Sequence, residues 1–218
     1  MTPIDRRRFL AFGGAALAGG ALWTAAPPAS AAPPASAAPP AATAPTGPAE
    51  WRGGRSANGW PVLTAGGAPE FRVEGSGLTV RLAPAAAPVL LHVVRRFLYE
   101  VEHRVGPGEL TGHVEDRRVA APYESAYLSG SGIALRPLFY PLGARDGFFE
   151  HEKAVVRDIL ADCEGVVAWG GDLMPVKESH FHVVEPPTSA RYLAVAAKLR
   201  RWEDAPGRGA GAVSAFTG

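Results

Sequence analysis

The sequence predicts an α+β domain, in which short antiparallel strands and helices occupy separate stretches instead of alternating. Three observations carry this. "FRVEGSGLTVRLA" alternates apolar and polar residues on both sides of Gly75-Ser76-Gly77. Two longer stretches, beginning at Ala87 and Gly147, repeat apolar residues at helical spacing. "VVAWGGD" and "HFHVVE" are short apolar runs of strand length.

The first folded element follows an address. "DRRRFLAFGGAALAGGALW" sets Arg6-Arg7-Arg8 before Phe9-Leu10 and a modestly apolar Gly/Ala run, the pattern of a twin-arginine export signal over residues 1–31. The run is shorter than the ~20 apolar residues of a spanning helix, so no transmembrane span is expected in the mature form. Ala29-Ser30-Ala31 and Ala35-Ser36-Ala37 each offer a small-x-small cleavage site, and the first is preferred. Removal of residues 1–31 takes away three Arg and Asp5, which lowers the formal charge of +1 by two. Residues 32–49, rich in Pro and Ala, lack the large apolar groups a core requires and read as an extended linker. The protein is therefore expected to be secreted, extracellular or associated with the cell wall.

A domain over residues 50–201 opens with "WRGGRSANGWPVL", whose Asn58-Gly59 is a strong turn signal. Phe71 and Val73, then Leu78, Val80 and Leu82, supply the apolar face of a hairpin. "APVLLHVVRRFLYEVEHR" stacks Val89, Val93, Phe97 and Val101 on one helical face, flanked by Leu90, Val94 and Leu98, after Pro88. "GFFEHEKAVVRDILADCEG" predicts a second helix with Phe149, Val155, Val156, Ile159 and Leu160 toward the core and Gly165 at its stop. His92, His103 and His151 read as packed or surface residues of these helices. Residues 202–218 lose periodicity and are expected to be a frayed tail.

Composition excludes several functions. The 47% apolar content suffices for one core, and the charge of +1 has no basic stripe behind it, so nucleic acid is not an expected partner. Cys163 is the single cysteine, which rules out an intrachain disulfide, a four-cysteine zinc site and a redox pair.

"SAYLSGSGIAL" (Ser125 to Leu135), "YPLG", "VVAWGGD" and "ESHFHV", in that order and spacing, resemble the D-Ala-D-Ala carboxypeptidase family of zinc metallopeptidases. Its VanY-like and L-alanyl-D-glutamate endopeptidase members cut peptidoglycan stem peptides. The resemblance covers roughly Trp51 to Pro187 and implies a small antiparallel sheet flanked by helices. In that family, Ser-x-His-x-x-Gly-x-x-x-Asp supplies two zinc ligands, and Asp/Glu-x-x-His-Phe supplies a general base and the third ligand. Laid on this chain, the ligand positions hold Tyr127, Ala134 and His180, and the base position holds Lys177, with Glu178 beside it.

Catalytic zinc usually needs three protein ligands and an open water position. Ala134 has no donor, and Tyr127 would bind only as phenolate, so the resemblance implies a degenerate site with no cofactor where the family carries zinc. His182, two residues from His180 on a predicted strand, is a possible substitute ligand, with Glu124 or Asp172 as possible oxygen donors. Trp169 and Asp172 would border the cleft. Either Arg117 or Arg118 stands where the family pairs a substrate carboxylate, a role that suits a guanidinium fork, and each reads equally well as a surface charge. Three readings follow. One is an exported pseudoenzyme that binds a peptidoglycan stem peptide or a cell-surface protein. The second is a working zinc peptidase with replaced ligands, and the third is an interaction module with an empty cleft.

Overall fold

A computed structural model describes residues 47–205. The segment expected to direct export, the expected cleavage sites, most of the Pro/Ala-rich stretch over 32–49 and the residues beyond Ala205 lie outside the described residues. The architecture is mixed α/β, with four helices and small antiparallel sheets, compatible with the α+β class. No helix among the described residues is long and apolar enough to cross a membrane.

Two small sheets come first in the chain. Strand β1 (Ala49–Glu50) pairs antiparallel with β5 (Arg118–Val119), so the first strand begins one residue before the linker boundary expected from composition. Strands β2 (Glu70–Arg72) and β3 (Thr79–Arg81) form the hairpin around Gly75, which takes the left-handed conformation at φ 73. Val73, Leu78, Val80 and Leu82 are buried as the alternation predicts.

The central sheet has the order β4-β6-β8-β7, all antiparallel, from β4 (Leu110–Thr111), β6 (Gly132–Leu135), β7 (Val167–Trp169) and β8 (His180–Val183). Its two inner strands are buried along their whole length. Side chains directly across an antiparallel pair share a face. Ile133 therefore lies with Phe181, and Trp169 with Phe181, on one face, while Ala134 lies with His180 and Gly132 with His182 on the other.

The first of these faces is covered by α1 (Ala87–Glu100). Pro88 in its first turn is pre-set for helix and forfeits no internal hydrogen bond there. Val89, Leu90, Val93, Val94 and Phe97 are fully buried, each contributing roughly 1.5–3 kcal/mol of apolar burial. The Phe97 ring meets Phe181 edge-on at 6.2 Å and Phe148 at 5.8 Å. Helix α1 packs in turn on α3 (Glu150–Asp162) and α4 (Ala190–Asp204). Glu152 accepts the Phe149 backbone N–H at 2.7 Å and closes the start of α3, and Glu164 and Gly165, both at positive φ, follow its end. A short helix α2 (Ser125–Leu128) continues a 3-10 turn over Pro122–Glu124.

Three expectations are corrected here. Phe149 is 71% exposed and Phe148 is the buried one, because the residue before a helix start does not follow the helical phase. Trp202, Glu203 and Asp204 belong to α4 and not to a tail. Helix α4 itself is absent from the elements expected from the sequence. It is anchored by Tyr192, which is buried edge-on against Trp60 at 5.5 Å.

Candidate functional site

The second face of the sheet carries an unusual set of side chains. His180 and His182, two apart on β8, project together, and His180 Nε2 lies 2.9 Å from His182 Nδ1. Their cross-strand partners are Ala134 and Gly132. A Cβ on Gly132 would come within 2.9 Å of Ala126 Cβ, so only glycine fits beneath His182 at this point. The turn after β7 locks β8 from below. A Cβ on Gly170 would meet the Lys177 carbonyl oxygen at 2.1 Å, and the Gly170 carbonyl accepts the Lys177 N–H at 3.0 Å.

Tyr123 and Tyr127 stand four residues apart on the helical run Pro122–Leu128 and so share one face. Both pack on the histidines. Tyr127 Oη is 2.6 Å from His180 Nδ1 with the rings edge-on, and the Tyr123 ring lies parallel to His182 and donates its hydroxyl to the Pro175 carbonyl at 2.6 Å. Burial, then the Glu124 and Tyr123 charges, push the Tyr127 hydroxyl well above its ordinary range, so it keeps its proton. His180 is pushed well below 6.5 by burial, then by His182 and Lys177, and burial pushes His182 down to about 4.

Both imidazoles are neutral at pH 7, which has a measurable consequence. An unfolded histidine takes up its proton near pH 6.5, whereas folded His182 does so only near 4. The unfolded state therefore gains protons first, and stability falls as pH drops from 6.5 to 4. His182 alone accounts for about 3 kcal/mol of that loss. Urea unfolding at pH 7 and pH 4.5 is expected to show the fall, and His182→Gln should flatten it relative to the parent protein. Equal pH dependence in the two proteins would contradict the buried neutral imidazole.

Lys177 and Glu124 form an ion pair beside the cluster. Lys177 Nζ contacts Glu124 Oε1 at 2.6 Å and sits 5.1 Å from the centroid of the Tyr127 ring. Glu124 Oε2 accepts the backbone N–H groups of Ala120 and Ala121 at 2.8 and 3.3 Å. Both oxygens of Glu124 are thus engaged away from any shared point with the histidines.

The structure brings together Tyr127, Ala134, His180, His182 and Lys177, and it disperses the other candidates. Glu178 turns away, accepting the Gly147 N–H at 2.7 Å, and lines a separate cavity of about 200 Å³ with Trp169 and Asp172. Asp172 is held bidentately by Arg157, which keeps its carboxyl below the usual range. Trp169 is a core residue stacked on Phe148, its indole donating to the Glu178 carbonyl. Arg117 donates to the Trp51 and Gly53 carbonyls, both at 2.7 Å, and Arg118 pairs with Asp116 on the surface. His92 is buried against Asp162, and His103 and His151 are exposed. Cys163 is buried in the core, which pushes its thiol up to about 12.

Comparison of the chain with family models, curated proteins and solved structures returns no match.

A cleft of about 360 Å³ opens at His182, lined by Ala57, Asn58, Tyr123, Met174 and Val184 among others. Asn58 and Tyr123 were missed by sequence reasoning. The i, i+4 spacing of Tyr123 and Tyr127 was the available signal for the second. Nothing local signals Asn58, whose amide donates to Ser131 Oγ and the Val183 carbonyl, at sequence separations of 73 and 125.

Proposed function

We propose that this chain is an exported peptidase-like domain of the D-Ala-D-Ala carboxypeptidase type that no longer hydrolyses peptides and uses the cleft at His182 to bind a cell-wall peptide. The observation that carries the reading is the 2.6 Å contact between Tyr127 Oη and His180 Nδ1, beside a cross-strand partner, Ala134, with no donor. Positions 127, 134 and 180 are the three at which the resembled family holds its zinc, and this reading is supported by Tyr127 and His180 satisfying each other while Ala134, across the ladder from His180, offers no donor. The Arg6-Arg7-Arg8 pattern supports export, and the order of strands and helices suits the small sheet flanked by helices that the resemblance implies.

The donor set does not fit zinc. Ala134 offers nothing, Tyr127 keeps its proton, and both ring nitrogens of His180 face hydrogen-bond partners. Two nitrogens bound to one tetrahedral zinc at 2.0–2.1 Å stand about 3.3 Å apart. His180 Nε2 and His182 Nδ1 are closer than that, at 2.9 Å, and aim at each other. Among the described residues, no group of three or more His, Cys, Asp or Glu is gathered as a metal would require.

The test is zinc titration of the purified mature chain together with assays on D-Ala-D-Ala and L-Ala-D-Glu peptides. No chelator-sensitive turnover is expected, and no zinc binding tighter than the micromolar range on the order-of-magnitude expectation for one remaining ligand. Turnover that a chelator abolishes and zinc restores would establish the working peptidase with replaced ligands instead.

A further inference from the structure

We infer that the cleft at His182 selects an uncharged ligand, one hydrogen-bond acceptor carried on a small apolar group, and discriminates against a terminal carboxylate. The inference rests on the peptide-binding reading of the same cleft and adds the class of peptide group it takes.

Tyr127 sets the direction of the hydrogen bonds that lead to the cleft. Its hydroxyl is buried and protonated, and its one partner among the described residues is His180 Nδ1, so Tyr127 donates and His180 Nδ1 accepts. A neutral imidazole carries one N–H. The proton of His180 therefore sits on Nε2 and is donated to His182 Nδ1. That leaves His182 with its own proton on Nε2, a nitrogen for which the described residues supply no acceptor. The reverse polarity would leave the buried Tyr127 O–H without an acceptor, which costs roughly 1–3 kcal/mol. One buried phenol thus fixes a hydrogen-bond donor at the cleft wall, two side chains away.

The other lining groups decide what that donor can hold. Both amide hydrogens of Asn58 go to Ser131 and Val183, and the Tyr123 hydroxyl goes to Pro175. Ala57, Pro122, Met174 and Val184 complete the wall, so among the described residues no Lys, Arg, Asp or Glu lines the cleft. A carboxylate entering here would exchange water for a single neutral N–H donor on a wall without charge of its own, with Arg145 at 3.0 Å from the Met174 sulfur on the exposed rim, and so gives up more hydration than a neutral carbonyl does. A carbonyl of an internal peptide bond or a carboxamide, carried on a small side chain against Tyr123 and Met174, meets one donor and apolar walls.

Two measurements on the full mature chain test this. Long-range proton–nitrogen NMR of the histidine rings is expected to show His180 and His182 both protonated on Nε2, and Tyr127→Phe should lower the Nε2–H fraction of His182. N-acetyl-D-alanyl-D-alanine, as free acid and as C-terminal amide, is then titrated while the His182 and Tyr123 signals are followed. The amide should bind more tightly than the acid, by a few-fold or more at this partly exposed cleft. Tighter or equal binding of the acid, binding of neither probe, or an Nδ1–H tautomer at His182 overturns the inference. Each of those results leaves the zinc and hydrolysis measurements untouched, so the non-hydrolytic reading stands or falls separately.

Discussion

Tyr127→His combined with Ala134→Asp is expected to raise zinc affinity by three or more orders of magnitude, as each introduced ligand contributes part of the ~10–16 kcal/mol that structural zinc sites reach. The geometry is prepared for it. Ala134 lies directly across the β-ladder from His180, where Cβ atoms stand about 4.5–5.5 Å apart on the same face, so a carboxylate there projects beside the imidazole. A phenol reaches further from its Cα than an imidazole, by roughly the length of one Zn–N bond, ~2.0–2.1 Å. The Tyr127 hydroxyl, 2.6 Å from His180 Nδ1, therefore marks about the place where a metal shared by the introduced imidazole and His180 would sit.

Each single variant should gain little, because a site with two ligands holds zinc poorly. Competition with a chromophoric chelator measures the gain, and His180→Ala in the double variant should remove it. Adding Lys177→Asp, together with Glu124→Gln so that two carboxylates do not face each other where the ion pair stood, places an acid at the position where the resembled family carries its base and also removes a positive charge that acts on His180. Weak hydrolysis is the expected result there, limited by how well the surrounding side chains hold the new ligands. A double variant that binds zinc no better than the parent would show that the register joining positions 127, 134 and 180 is not that of the zinc peptidases.

The sequence carries the sheet face better than it carries the partners. His180-Phe181-His182-Val183 reads as a strand whose odd and even residues part company, and the core takes Phe181 and Val183 while the cleft side takes the two histidines. Periodicity likewise exposes the buried face of α1. Helix α4 has the same kind of signal in Tyr192, Val195, Ala196 and Leu199, but Lys198, Arg200 and Arg201 dilute it to an apolar stripe of only four residues.

What stays hidden in the sequence are contacts to backbone and across long loops. Arg117 is indistinguishable there from an arginine that awaits a substrate carboxylate, because the carbonyls of Trp51 and Gly53 that hold it leave no trace in side-chain type. Glu178 looks like a displaced base, yet it sits in the turn that the His180 N–H closes on the Lys177 carbonyl, and there its carboxylate accepts the Gly147 N–H and does not reach the histidines. Lys177 looks like a plain loss of the catalytic acid. Its partner Glu124 lies 53 residues away, and only the fold brings the two within reach.

That pair sets the second large expectation. The side chains of Lys177 and Glu124 are 12% and 11% exposed, so Lys177→Ala leaves a carboxylate buried with two backbone N–H groups and no counter-charge. Breaking a buried pair from one side costs about 3–5 kcal/mol, because the desolvation of the remaining charge is no longer offset. The double variant Lys177→Met with Glu124→Gln removes both charges and keeps an amide carbonyl for the Ala120 and Ala121 N–H groups. It should lie within about 1–2 kcal/mol of the parent, since replacing a buried pair as a unit is often close to neutral. Urea unfolding of the three proteins at pH 7 measures the difference. A cost below about 1 kcal/mol for Lys177→Ala would mean that water reaches Glu124 and that the pair behaves as a surface contact. The larger cost would give Lys177 a structural reason to occupy its position, whether or not the resembled family's base once stood there.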